Sequence, residues 1–356
     1  MTSRRSFLAG MLATGLAPSA TWADAGAPRW LSAAGLPDGG FALCGIGADM
    51  TLRFRIPLPA RGHAAAAHPE RPEAVAFARR PGTFAAVIDC AAGREAAMLS
   101  APEGRHFYGH GAFSLDGRWL YTTENDFAAA RGVIGIWDAD HGYARVGEFA
   151  SGGTGPHEIR RIPGTDTLVV ANGGIETHPA SGRTKLNIAV MQPNLSYIDG
   201  GIVTETDRLA PEMHKGSIRH IDISHSGEVA FGLQWQGDED GPALVGLHRR
   251  GAPLRLCSAP EANLRAMRNY AGSVAFAANQ RHVAVTSPRG GLVQIYDAGE
   301  ARYLRGETIA DACGVASCRG GLLVASGTGD LWRVAVGMAR RAEHAALMWD
   351  NHLVAI

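Results

Sequence analysis

Lysine is nearly missing from this 356-residue chain: Lys185 and Lys215 are the only two, and arginine supplies the rest of the 34 basic residues. The acidic total is also 34, so formal charge cancels. No basic stripe breaks the balance, which argues against a nucleic-acid partner. The arginine bias reads as genome composition rather than thermostability, and it makes the two lysines conspicuous. Cysteine is sparse and odd in number: Cys44, Cys90, Cys257, Cys313 and Cys318. A fully paired disulfide framework is thereby excluded, and a chain of this length needs no such staple. Cys44, Cys90 and Cys257 lie in apolar strand-like runs and are expected as buried small hydrophobes. No apolar run reaches membrane-spanning length. A Cys-x-x-Cys-His haem attachment, a P-loop and a Ser nucleophile elbow are all missing, so haem, nucleotide and serine-hydrolase chemistry find no support.

The N-terminus is marked. Ser3-Arg4-Arg5-Ser6-Phe7-Leu8 is a twin-arginine motif, the stretch Leu8 to Leu16 is mildly apolar, and Ala23-Asp24-Ala25 offers a small-x-small cleavage site. Residues 1–25 are expected to be a twin-arginine signal peptide and residues 26–356 one mature, soluble periplasmic domain. That export route carries folded proteins, and chains that acquire a metal or cofactor beforehand often use it.

Hydrophobic residues are 46 % of the chain, with 46 Gly and 18 Pro. Helical periodicity is weak. Short runs rich in Val, Ile, Phe, Tyr and Trp alternate with Gly, Asp, Pro and Asn, as strands alternate with turns. The runs repeat. His110-Gly-Ala-Phe-Ser-Leu-Asp-Gly117, His157-Glu-Ile-Arg-Arg-Ile-Pro-Gly164 and His220-Ile-Asp-Ile-Ser-His-Ser-Gly227 share length and closing glycine, and the fragment from His63 to Glu70 fits with another turn residue. Their spacing is that of propeller blades of about 40–50 residues, apart from one interval lengthened by an insertion at 173–185. Four strands per repeat make a blade. Only three strands precede His63, whereas the last residues, His352 to Ile356, match a first strand. The expected fold is therefore all-β: a seven-bladed β-propeller closed by its C-terminal strand, which joins the first blade.

One equivalent position per blade holds His63, His110, His157, His220, Ser273, Cys313 and His352. First strands of propeller blades line the axial channel, so these residues converge on one mouth. One reading is a metal site: neutral imidazole and thiolate suit iron, copper or zinc, better than calcium or magnesium, which prefer oxygen. Glu158 could add a carboxylate. A second reading is structural. Gly109-His110 followed by Trp137-Asp138 has the Gly-His and Trp-Asp pattern of WD40 repeats, in which the His joins a network that locks the blade. A third is a polar ring that faces a ligand without metal.

Further segments stand out. Glu124 and Asp126, in Thr122-Thr-Glu-Asn-Asp126, can bind a cation or cap a turn. The insertion carries Glu176, His178 and Lys185 and is a candidate lid. Lys215, Gln234, Trp235 and Arg268 sit at strand ends near the ring and are candidate ligand contacts.

Pro57-Leu-Pro-Ala-Arg-Gly-His63, Asn172-Gly-Gly-Ile-Glu-Thr-His-Pro179, Lys185-Leu-Asn187, Gln234-Trp-Gln-Gly-Asp238 and Trp349-Asp-Asn-His352 resemble the twin-arginine-exported bacterial proteins grouped as domain of unknown function 1513. The resemblance spans essentially the whole mature chain. It implies a propeller of the quinoprotein-dehydrogenase-like or YVTN-like kind and an association with periplasmic iron-uptake proteins of the imelysin type. It implies no established activity. The functional expectation is a non-enzymatic periplasmic propeller that binds iron or copper at the axial His ring, in metal acquisition or handling. The alternatives are a lactonase-like hydrolase or metal-dependent oxidoreductase, and a protein-binding scaffold with a structural His network.

Overall fold

The computed structural model describes residues 19–79, 82–182, 184–239, 241–335, 338–344 and 346–356. The twin-arginine motif and the apolar stretch lie outside the described residues. Residues next to the expected cleavage site are described: Trp22 donates its indole N–H to the carbonyl of His68 (2.9 Å), and Ala25 is buried against the first two blades.

Seven antiparallel sheets follow one another along the chain, and neighbouring inner strands pack side by side around an axis. Six inner strands are Gly62–Ala67, Arg105–Phe113, Pro156–Arg161, Gly216–Ile223, Ser273–Phe276 and Ala312–Cys318. In the first blade the inner position is taken by the chain end. Met348–Trp349 and Val354–Ala355 both pair with Trp30–Gly35, the first strand among the described residues. The expected closure by the C-terminal strand is therefore present, but the strand is broken, and residues 350–353 bow out between its two pieces. Ser32 Oγ donates to the carbonyl of His352 (2.8 Å) and holds the bowed segment to the first strand. Trp349 is buried and donates to the carbonyl of Gly329 in the last blade (3.2 Å), so one side chain seals the seam between last and first blades.

The core lies in the wedges between blades. Apolar residues of adjacent sheets interdigitate there, as Phe77, Phe107, Leu120 and Trp137 do between the second and third blades. Close to the axis the sheets converge and small residues are needed; Ala64, Ala65, Ala66, Ala74 and Ala76 fill that space in the second blade. Outer strands instead alternate exposed and half-buried residues, as in Ala144–Ala150. All five cysteines are free and buried. Among the described residues no helix is long and apolar enough to cross a membrane.

One irregularity recurs on the inner strands. The pairing register shifts between Gly62 and Ala65, Phe107 and Gly111, Pro156 and Glu158, Ile218 and His220, and Ala312 and Val315. Each shift falls at the position where the repeat carries His63, His110, His157, His220 or Cys313. The break in the C-terminal strand falls at His352. A bulge leaves one residue unpaired and turns its side chain out of the regular alternation. Here the residues left without a register partner include His63, His110, His157 and Cys313, whereas in the His220 strand Arg219 is left out and His220 stays paired with Gly232.

Candidate metal centre

The five repeat-phased histidines meet in one cluster. Imidazole centroids of His352 stand 4.6, 4.5 and 4.9 Å from those of His63, His110 and His220. His157 stands 5.0 Å from His110 and 4.8 Å from His220. All five are at most 8 % exposed. Such closeness needs room on the backbone. Gly109 precedes His110 at φ +103°, and a Cβ added there would lie 2.6 Å from Cδ2 of His63. Only glycine combines that dihedral with that approach.

The cluster's polar atoms are short of partners. Nε2 of His110, Nδ1 of His157 and Nε2 of His352 are buried without a hydrogen-bond partner in the protein. Nδ1 of His63 lies 3.5 Å from the Asp350 carboxylate, and Nδ1 of His220 lies 3.4 Å from that of Glu158. These last contacts are too long for firm hydrogen bonds, yet they have the layout of carboxylate–histidine pairs, in which an Nδ1–H is oriented and Nε2 is left as the lone-pair donor. Glu158 is itself held: its Oε1 accepts from Arg160 Nε (2.9 Å) and its Oε2 from the amide of Ile221 (3.2 Å). Asp350 accepts from Arg61 Nε (2.8 Å).

Burial and neighbouring charges favour the neutral form of four of the imidazoles. Burial pushes His110 well below the usual imidazole range, and the four neighbouring imidazoles push the same way. Burial and then the Arg219 guanidinium do so for His157, and burial and then His63 for His352. In His220 burial is partly offset by Glu158, and the shift is still downward. Burial opposes ionisation of Asp350, but His63 and Arg61 outweigh it and bring the carboxyl down to about 2. Metal ligation requires neutral imidazole, so no proton has to leave first.

Two overlapping sets have ligand atoms within 4.8 Å of one another: His110, Glu158, His220 and His352, and His63, His110 and His157. The donor set therefore fits a transition-metal ion. Glu158 is the least available member, because both its oxygens are already engaged. Cys313 belongs to neither set. Its Sγ points to Asp311 Oδ1 (3.6 Å), and burial pushes its thiol up, away from the thiolate a metal takes. Ser273, the seventh equivalent, accepts from the amide of Val315 (3.3 Å).

The WD40-like pairing is not formed. Asp138 receives His141 (3.0 Å) and Arg118 (3.7 Å), while Trp137 donates to Thr122 Oγ1 (2.9 Å). His110 instead faces Glu158 across 4.0 Å.

The other marked residues divide between scaffold and mouth. Glu124 is fully buried and receives Arg145 at 2.7 and 3.1 Å, and Asp126 receives Arg131 Nε (2.8 Å) and the amide of Ala129 (3.3 Å); both hold strand ends and turns. The insertion leaves Leu168–Asn172 at the end where His157 begins its strand, so it stands beside the mouth. It is pinned there by Ser217 Oγ on the carbonyl of Gly173 (2.8 Å) and by Lys185 on Gln236. His178 Nδ1 caps the turn at Ala180 (3.2 Å), and Asn187 Oδ1 accepts from the amide of Glu176 (2.8 Å). Lys215 pairs with Glu239 (3.7 Å), and Trp235 donates to the same carboxylate (3.1 Å).

Of the marked residues other than the histidines, Gln234 alone lines the cavity of about 220 Å³ over the cluster, which also takes in Arg79, Tyr108, Arg219, Tyr270 and Arg289. Arg268 does not. Sequence reasoning passed over Arg79, Arg289 and the orienting Asp350. Asp350 was within reach, as the neighbour of His352 in a motif already singled out.

The fold is shared widely among solved structures. Kuenenia stuttgartiensis hydrazine synthase aligns with TM-score 0.61 at 13 % identity, over 88 % of this chain and 94 % of that one. The Cps50 (Swd1) β-propeller domain of Myceliophteria thermophila aligns with TM-score 0.59 at 11 % identity, over 88 % and 93 %. At such identities the likeness concerns the fold alone. No curated protein sequence matches the chain significantly. A family model does match, over residues 56–356, which hold the cluster and nearly all the blades: the chain belongs to the family described as protein of unknown function, DUF1513.

Proposed function

We propose that this propeller binds a transition-metal ion, iron or copper, at the axial His cluster, and that it serves in the periplasm in metal acquisition or handling. The observation that carries the reading is the set of buried imidazole nitrogens without protein partners on His110, His157 and His352. Leaving a buried polar group unsatisfied costs about 1–3 kcal/mol each. A metal ion satisfies several at once. Imidazole-rich sites suit copper, iron and zinc, and the near-absence of free carboxylate oxygens disfavours calcium and magnesium. In the bound state His110, His220 and His352 would hold the ion, with His63 and His157 lining the mouth beside His220; Asp350 would orient His63 and Glu158 would orient His220. A resident ion there supplies Lewis acidity or one-electron chemistry.

The test is metal analysis of protein exported in its native host, together with thermal unfolding in chelator and in added Cu(II) or Fe(II). About one equivalent of metal and a rise in Tm that tracks its concentration are expected. His110→Ala with His352→Ala should abolish both. Protein that holds no stoichiometric metal and whose Tm ignores added metal sinks the proposal.

A further inference from the structure

The mouth above the cluster has a charge that does not suit a bare cation. Its cavity presents Arg79, Arg219 and Arg289, and the phenols of Tyr108 and Tyr270, with no carboxylate among its lining residues. Arg289 lies over the face of Tyr270 at 4.5 Å, which holds the guanidinium in place over the opening. Arg219 is steered by Ser217 (2.8 Å to Oγ) and stands close enough to depress His157. The two carboxylates next to the imidazoles are already matched, Glu158 by Arg160 and Asp350 by Arg61, with Arg79 3.9 Å away. The immediate surroundings of the cluster are thus positive before any metal enters. A hydrated divalent or trivalent ion would meet repulsion from these guanidiniums on its way in.

We propose, resting on the metal reading above, that the cluster takes its metal together with a small oxygen-anion ligand, a carboxylate or phosphate, which bridges the ion to Arg79, Arg219 and Arg289. The anion cancels the mouth's charge and fills coordination positions that the imidazoles leave. Guanidinium is the side chain best matched to such oxyanions, through paired N–H donors in one plane. Tyr108 and Tyr270 add O–H groups at the same rim. A cavity of about 220 Å³ has room for a small carboxylate or phosphate. The cargo is therefore a metal complex of a simple anion, not a naked ion.

Equilibrium dialysis of the full-length protein, with ¹⁴C-citrate in one arm and ³²P-phosphate in the other, tests this. Each arm compares metal-free protein with protein at matched occupancy in Cu(II) supplied as chloride. In at least one arm, label should bind about tenfold or more tightly to the metal-loaded protein. Arg289→Gln at the same metal occupancy should lose that gain, and Arg289→Lys should restore part of it. The two arms tell a carboxylate from a phosphate ligand. Equal label binding with and without metal, or in wild type and Arg289→Gln, overturns the inference while the metal reading stands. Failure of both Cu(II) and Fe(II) to bind, alone or with either anion, overturns both.

Discussion

At the scale of single residues the cluster depends on what its neighbours omit. Gly109 is the clearest case: a methyl group at that Cα would press on the imidazole of His63 and strain a left-handed backbone. Gly109→Ala is expected to cost about 1–3 kcal/mol of stability from backbone strain and to displace His63. Metal affinity should fall with it. Denaturant midpoints and metal titration check both, and unchanged affinity would remove His63 from the site. The imidazoles also make a pH prediction. His110, His157, His220 and His352 are held below their ordinary value of about 6.5 in the folded state. Below that pH the unfolded chain takes up protons that the folded cluster refuses, so stability of the metal-free protein falls as pH drops below about 6.5. Asp350 works in the same direction at lower pH, since its carboxyl must be protonated against His63 and Arg61. Urea midpoints at pH 7.5 and 5.5 should differ accordingly, and a higher midpoint at 5.5 would contradict the assignment.

At the scale of elements, bulges do the aiming. A regular strand would send alternate side chains to its two faces, into the wedges between blades rather than down the channel. The register shifts release His63, His110 and His157 from that alternation, and the shift beside His220 releases Arg219. The bowed segment at 350–353 does the same for His352 and carries Asp350 with it. That segment is fastened by Trp349, which spans the seam. Trp349→Ala leaves a cavity between the first and last blades and is expected to cost about 3–5 kcal/mol. Chemical denaturation reads this directly. A loss under 1 kcal/mol would mean that the C-terminal strand is not what holds the propeller closed.

At the scale of the whole molecule, a closed propeller turns sequence repetition into convergence. Each blade buries its faces against two neighbours, and the seven inner strands share one axis. Residues from the second blade to the chain end, hundreds of positions apart, are thereby set within 5 Å of one another. The interstrand loops at one end, including the insertion at 173–185, gather around the mouth. Metal and anion enter the same channel in the reading proposed here, with imidazoles below and arginines above.

The strand–turn alternation, the blade count, the C-terminal closure and the phase of the five histidines were legible in the sequence, because each is local or periodic. The glycines that end the repeats were legible too: Gly117, Gly164 and Gly227 all carry positive φ in turns. Cys313 shared the phase and yet lies outside the cluster, because phase fixes the strand position but not the direction in which a bulged side chain turns. Glu124 and Asp126 could be read as a cation site or as turn caps; Asp126 does cap the turn at Ala129, and both carboxylates are taken up by Arg145 and Arg131, partners the sequence alone did not pair with them. The arginine mouth was invisible for the same reason. Arg219 stood out only as a neighbour of His220; Arg79 and Arg289 come from two other blades with no common spacing, and arginine is too abundant in this chain for either to stand out. Local repetition determined the fold and the histidines; the charge around them was decided by which blades meet at the axis.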